Sequence, residues 1–448
     1  MQSGDLIDLD ITDVAHGGVF VGRHEGRVVF VPDAIPGERV RVRLTDTAKA
    51  SFWRAELVDV TVASPHRRPH VWRQADVDMP PEQRPGGADF GHIELGHQRA
   101  LKRHVLTDAL QRFAGVDVPV SMQGALPLVP DAGVPAAQTA ESPDGTGWRT
   151  RVSLHVGPDG RVGPFAARSH RVVAVDDYPL ATAAVERAAR RRGSGVPARP
   201  GRIDLVQPTD GRVRVIPRPD GRRELPPEAR ETIVERVGTR EFRVDAGGFW
   251  QVHRLAAWTL STAVTGVLRD LAADGVAGDG APVLDPDAWH LDLYGGVGLF
   301  AAALADTGGV RVTSVEADAA ATEHAGANLA EWVGARAETE RVDRWLAGLS
   351  RSASPAERER LRRGVVVLDP PRSGAGGEVS AAIAGLEPAA VVYVACDPVA
   401  LARDLKTFRE RGYAASRVDA YDLFPHSHHL EARSEEHTSE LQSLAYLV

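Results

Sequence analysis

The chain has 448 residues, enough for two or three domains with ample core. Its net charge of −8 argues against a nucleic-acid binder that is basic throughout, and its single cysteine excludes an intrachain disulfide or a site built from several cysteines. No apolar run reaches membrane-spanning length and "MQSGDLIDLD" does not read as a signal peptide, so a soluble cytoplasmic protein is expected.

Residues 5–62 carry short runs of alternating or β-branched residues, "DLIDLDITDV", "GVFVGR", "GRVVFVPDAI", "ERVRVRLT" and "FWRAELVDVTV". They are separated by "HGG", "HEG" and "IPGE", which predicts a small β-barrel. Residues 63–240 are mixed, an α+β region. "SPHRRPHVWRQADVDMPPEQRPGG" is loop-like, "ELGHQRALKRHVLTDALQRFAG" has helical spacing and ends in glycine, and "LPLVPDAGVPAAQTAESPDGTG" reads as a loop. "WRTRVSLHV" is a strand. From Arg149 to Arg243 there are 20 arginines, no lysine and 12 acidic residues, a basic stretch inside an acidic protein that suits a phosphate backbone.

From about residue 241 to 432 strands alternate with helices: "HLDLYGGVGLFAAALA", "VRVTSVEAD", "GVVVLDPPRSGAG" and "AVVYVACDP". That is an α/β pattern with a doubly wound, Rossmann-like sheet, whose ligands lie at the carboxyl ends of the strands. In "DLYGGVG" the glycines fall where a strand turns into a helix, so a ligand can approach the backbone at Gly296. Glu316 ends the next strand, where a carboxylate can accept hydrogen bonds from ribose hydroxyls. This pattern does not distinguish a nicotinamide dinucleotide from S-adenosylmethionine. Asp369 ends an apolar strand before two prolines, which force the chain out of the sheet in a rigid loop and aim the carboxylate at the crevice. Arg372 follows as a cation near it. A free cysteine is ordinarily a small buried hydrophobe. Cys396, however, closes the strand "AVVYVA" and precedes "DPVALARDL", a helix whose positive end would favour a thiolate.

"DLYGGVGLF", "LDPPRSG", "YVACDPVALARDL" and "FPHSHHLE", together with "FWQVH" at 249–253, make the chain resemble the S-adenosylmethionine-dependent RNA 5-methyluridine methyltransferases. Residues 1–62 resemble the TRAM barrel at the N-terminus of many members. The resemblance implies a class I methyltransferase domain and an RNA substrate, 23S rRNA or tRNA, with an unstacked uridine. It also implies S-adenosyl-L-methionine as cofactor and catalysis by Cys396 as nucleophile with Glu431 as base. It places Gln251, Tyr294, Gly296, Glu316, Asp343 and Asp369 at the cofactor. A TRAM barrel leans the substrate toward ribosomal RNA. Two other functions remain open, an amino-group methyltransferase of the same fold and a non-catalytic RNA-binding protein. A monomer with no membrane partner is expected.

Departures from the family pattern are informative. The stretch that carries a four-cysteine iron–sulfur site in many members has none here, with Ala88 where a cysteine would stand, so no cluster and no metal are expected. His66, His70 and His92 read as solvated loop histidines. His253 and Asp397 each replace an asparagine, and Gly295 replaces a common cysteine. "RSEEHTSELQS", 433–443, resembles translated sequencing adapter, so residues 433–448 are expected to be a non-native tail. The tail stands where the family has an apolar strand at the sheet edge, and its polar residues predict that this strand is lost.

Overall fold

The computed structural model describes residues 1–128, 139–193, 199–221, 224–274 and 284–438. Its strands are β1 (Leu6–Ala15), β2 (Val19–His24), β3 (Arg27–Val31), β4 (Arg39–Asp46), β5 (Phe52–Val62), β6 (Val120–Gly124), β7 (Arg151–Val156), β8 (Val162–Gly163), β9 (Gly201–Val206) and β10 (Arg214–Pro219). They continue with β11 (Thr232–Val237), β12 (Arg240–Asp245), β13 (His290–Leu293), β14 (Val312–Glu316), β15 (Ala335–Thr339), β16 (Val365–Leu368), β17 (Ala390–Ala395), β18 (Tyr413–Asp422) and β19 (Glu431–Thr438).

The alternation in the first 62 residues produces a closed barrel in the order β1-β2-β3-β5-β4. In β4, "RVRVRLTD", the arginines face water while Val40, Val42 and Leu44 are buried, as a period of two requires. These pack with Leu9, Ile11, Phe20, Val29 and Trp53. A helix, Leu95–Ala109, follows, and its chain end turns at Gly115 with φ +63°.

Strands β10-β9-β7-β8 form a second sheet and β11-β12 a hairpin. Much of the arginine excess here is engaged internally. Arg214 meets Asp210 and Glu231, Arg202 and Arg218 share Asp204, Arg236 meets Glu241, and Arg240 reaches Asp306 and Glu331.

The largest sheet has the order β15-β14-β13-β16-β17-β19-β18-β6. Its first five strands are parallel, with β13 at the point where the order reverses. All six residues of β17 are buried. Val392 and Val394 enter the core on one face, and Val391, Tyr393 and Ala395 the core on the other. Two features depart from the sequence reading. Residues 431–438 do form a strand, and it lies inside the sheet, antiparallel to β17 and β18, not at its edge. A ladder of backbone hydrogen bonds needs only extended residues with free N–H and C=O groups, which polar residues supply as well as apolar ones. The edge is occupied instead by β6, which pairs in parallel with β18 from Val120 to Gly124. Residues 439–448 of the expected tail lie outside the described residues. No helix among the described residues is long and apolar enough to cross a membrane.

Candidate active site

Four parallel strands deliver their carboxyl ends to one crevice. Tyr294-Gly295-Gly296 follows β13, Glu316 is the last residue of β14, Asp369 follows β16 and Cys396 follows β17. Strand β19 enters antiparallel at the same end, with Ala395 opposite Ala432. One further step of this register sets Glu431 across from Cys396.

The turn after β13 runs through left-handed backbone at Tyr294 (φ +62°), Gly296 (φ +55°) and Gly298 (φ +90°). Such φ values cost a residue with a Cβ and are free to glycine. Gly295 has a different reason to be glycine: a Cβ would stand 2.0 Å from Ser314 Oγ and 2.6 Å from Asp292 Oδ2. The volume of a side chain at 295 is thus already taken by a neighbouring strand. At Gly296 a Cβ would meet nothing within 4 Å, so the turn borders open space on that side. Glu316 Oε2 accepts from the Gly296 amide at 3.2 Å and Oε1 from the Asp318 amide at 2.8 Å, which fixes the carboxylate against the turn.

The remaining cofactor candidates are arranged less uniformly. Burial pushes the Tyr294 phenol up to about 12, and Asp343 adds to it. Asp343 itself is exposed and held by Arg341 in a two-point pair, Nε to Oδ1 and a terminal nitrogen to Oδ2, each 3.1 Å. That hydrogen-bonded pair keeps the Asp343 carboxyl below its usual range. Gln251 is half-buried between buried Trp250 and buried His253. His253 stacks on Trp148 with ring centres 5.5 Å apart, and its Nδ1 accepts from the Leu255 amide at 3.0 Å. Burial drives its pKa down to about 3, so the ring is neutral with its proton on Nε2.

The electrostatics centre on carboxyl groups. Burial, with Asp292 next, pushes Asp369 up to about 7. Burial and then Asp369 hold Glu431 well above the usual carboxylate range, against Arg372. Glu431 is buried and its Oε2 has no hydrogen-bond partner among the described residues. Burial also pushes the Cys396 thiol up to about 12; Glu431, Asp369 and Asp397 add to this and Arg372 opposes it. The expectation that the following helix favours a thiolate is therefore corrected. Asp397 caps that helix, Pro398–Arg409, its Oδ1 accepting from the amides of Val399 at 3.0 Å and Ala400 at 2.8 Å. Those first-turn N–H groups are spent on a carboxylate, and that carboxylate disfavours charge on the sulfur.

Cys396, Glu431 and Asp369 thus act on one another, and Tyr294, Gly296 and Glu316 share the neighbouring turn, while Asp343 is tied to Arg341. Sequence reasoning missed Asp292. It is fully buried in β13, its Oδ2 accepts from Ser314 Oγ and the Ala301 amide at 3.0 Å, and its Oδ1 has no hydrogen-bond partner among the described residues. Burial pushes it up to about 7. The one charged letter in "HLDL" was its signal. Also missed was the support behind Glu431. Gln98 accepts from the His426 amide at 2.8 Å, and buried Lys102 donates to Asp422 and, at 3.0 Å, to the Phe424 carbonyl. The reading of His66, His70 and His92 as solvated loop histidines is corrected for His92, which is packed inside and meets the Ala34 carbonyl at 3.0 Å; His70 is half-buried against the Ala88 carbonyl, and His66 pairs with Glu94 at 2.9 Å while stacking on His97.

The chain is similar to known proteins over most of its length. Residues 2–58 match the TRAM domain, and residues 285–434 match the family described as tRNA (Uracil-5-)-methyltransferase. An uncharacterized RNA methyltransferase of Streptomyces avermitilis is 35% identical, over 96% of this chain and 97% of that one. The 23S rRNA (uracil(1939)-C(5))-methyltransferase RlmD of Halomonas elongata is 30% identical, over 95% of this chain and 88% of its own. Among solved structures, the Pyrococcus abyssi tRNA (uracil-54, C5)-methyltransferase in complex with S-adenosyl-L-homocysteine superposes with a TM-score of 0.62. That likeness covers 96% of this chain and all of the other at 20% identity, which speaks for the fold.

Proposed function

The chain belongs to the S-adenosylmethionine-dependent RNA (uracil-C5)-methyltransferase family with an N-terminal TRAM domain, and from that premise we propose that it forms 5-methyluridine through a covalent bond between Cys396 and carbon 6 of uracil. The observation that carries the reading is the pairing of β17 with β19. It sets the chain's one cysteine beside a buried carboxyl group whose Oε2 has no hydrogen-bond partner among the described residues.

Carbon 5 of uracil is a weak nucleophile. Addition of the Cys396 thiolate to carbon 6 pushes electrons onto carbon 5 and oxygen 4, giving an enolate. Methylation at carbon 5 leaves one proton there to be removed. Glu431, as carboxylate, takes that proton through Oε2, and the C6–S bond breaks to restore the ring and the thiolate. Both groups hold their protons in the isolated site, so charge must be compensated before the chemistry begins; Arg372 is the cation that acts on both. When bound, S-adenosylmethionine supplies an electrophilic methyl on a positively charged sulfur. Tyr294, Gly296, Glu316 and Asp369 suit it, since the open side of the Gly296 turn is a cradle next to fixed acceptors. Gln251 and Asp343 complete the expected set, Asp343 after exchange of its Arg341 pair.

The uridine has to leave its stack to reach the sulfur, so a loop or flipped nucleotide is the substrate. The Halomonas relative, named for 23S rRNA, supports ribosomal RNA over tRNA. The barrel and the arginine-bearing middle region are assigned to RNA, residues 1–62 and 63–240, and 241–432 to methyl transfer.

The test uses RNA substituted with 5-fluorouridine, where the proton on carbon 5 is replaced by fluorine and elimination stalls. With S-adenosylmethionine, a protein–RNA band that survives denaturation is expected, and it disappears in Cys396→Ala. Glu431→Gln should accumulate the same adduct on ordinary RNA. Full activity of Cys396→Ala would instead favour an amino-group methyltransferase. RNA binding by folded protein with no adduct and no methyl transfer would favour a binding protein.

A further inference from the structure

The barrel reaches the nucleophile through one turn. Between β1 and β2, His16-Gly17-Gly18 leaves the barrel, and His16 Nε2 lies 2.8 Å from Asp397 Oδ2, on the residue next to Cys396. Gly18, at φ +72°, presses on the loop before Glu431, where a Cβ would stand 2.6 Å from His428 Cβ. His428 is anchored on Asp89 at 2.6 Å, and on the other side of the turn Asp13 accepts from His104 at 2.9 Å. The turn is therefore clamped between the helix Leu95–Ala109 and the catalytic loops.

Asp397 divides its two oxygens. Oδ1 caps the helix, and Oδ2 meets His16. Its charge stands beside a thiol already surrounded by Glu431 and Asp369, with Arg372 the opposing cation. A positive imidazole on the far oxygen offsets that charge. The hydrogen bond to Asp397 holds the His16 pKa above its usual value, against burial and Arg403. We propose that His16 is a positioning residue for Cys396, neutralising Asp397 so that the thiolate forms readily only when the barrel is docked. The proposal rests on the reading of Cys396 as nucleophile. It gives the barrel a role in catalysis besides holding RNA, and it accounts for aspartate at 397 where an asparagine is usual.

Because Cys396 is the only cysteine, iodoacetamide reports on it alone in the full-length protein without RNA. The alkylation rate below the thiol pKa follows the thiolate fraction. At about pH 7, His16→Ala should slow alkylation roughly three- to tenfold, as half to one unit of pKa requires. Asp397→Asn, which keeps a helix-capping side chain, should speed it. His16→Ala placed in the Asp397→Asn background should then change nothing, because the charge to be neutralised is gone. His16→Lys should restore the rate and extend it to higher pH than His16 can. Equal slowing by His16→Ala in both backgrounds, or none in either, overturns the proposal. A folded His16→Ala protein is verified by near-ultraviolet circular dichroism; if it unfolds, the His16→Lys profile alone decides, an unchanged pH dependence being the refuting result. None of these readings uses methyl transfer, so they stand apart from the fluorouridine trap.

Discussion

Strands β17 and β19 lie side by side, exchange a full antiparallel ladder and face the same cores, yet they carry opposite chemistry. Opposite Ala395, Tyr393 and Val391 stand Ala432, Ser434 and Glu436. On β17 this row is apolar but for one phenol, and Tyr393 Oη donates to Asp404 at 2.6 Å. On β19 the same row buries a serine hydroxyl beside a glutamate whose Oε1 has no hydrogen-bond partner among the described residues. The opposite face of β19 buries Arg433 against Asp419, with its Nε unsatisfied among the described residues. Backbone pairing is indifferent to this contrast, whereas side-chain burial is not. A well-buried valine contributes roughly 1.5–3 kcal/mol, and an unpaired buried polar group costs about 1–3 kcal/mol. One ladder therefore joins a strand that stabilises the sheet to one that weakens it, directly beneath Cys396 and Glu431.

Extending the chemistry of β19 to its neighbour should do the most damage. Val391→Glu would face Glu436 across the ladder, and a loss of more than about 4 kcal/mol is expected in urea unfolding. Arg433→Leu removes the cation from buried Asp419 and should cost about 3 kcal/mol by the same measurement, softened by Arg417 and Ser121 on that carboxylate. Making β19 resemble β17 should act in reverse: Ser434→Val with Glu436→Val is expected to stabilise by about 2 kcal/mol, read as a higher Tm. The smallest effect is graded with pH. Burial pushes the Glu436 carboxyl from 4.5 up to about 8. Its folded form thus binds the proton more tightly than the unfolded chain. Stability from this residue is complete below the unfolded value and is lost as pH rises through about 8, by about 1 kcal/mol per unit near neutrality. Glu436→Gln should flatten that slope; an unchanged slope would mean that the carboxyl is solvated.

The barrel and β13, β14, β16 and β17 were legible because each carries a pattern with one physical meaning, alternation for a surface strand and a short apolar run for a buried one. The same letters pointed to Cys396, Asp369 and the glycine turn. Strand β19 was not legible, since "EARSEEHT" is polar or charged at every position but Ala432, and only its partners hold it extended. "VSMQG" was too short to register as β6. The proton on Cys396 escaped for another reason. A helix start predicts a field that favours the thiolate, but the sign at the sulfur depends on three carboxyl groups from separate strands and on which atom caps the helix. "HGG" could be read as punctuation in a barrel; that His16 faces Asp397, 381 positions away, is a property of the fold alone.

Strand β6 has a bearing on ancestry and engineering. It lies far ahead of the methyl-transfer fold in the chain, yet it closes that fold's sheet along β18, and Ser121 Oγ donates to Asp419 at 2.6 Å. A gene fragment starting at residue 241 would encode a sheet with a bare border, prone to pairing with a second copy. The catalytic half is thus no interchangeable cassette. Grafting it onto another RNA-binding front end requires transplanting five residues of the old one along with it.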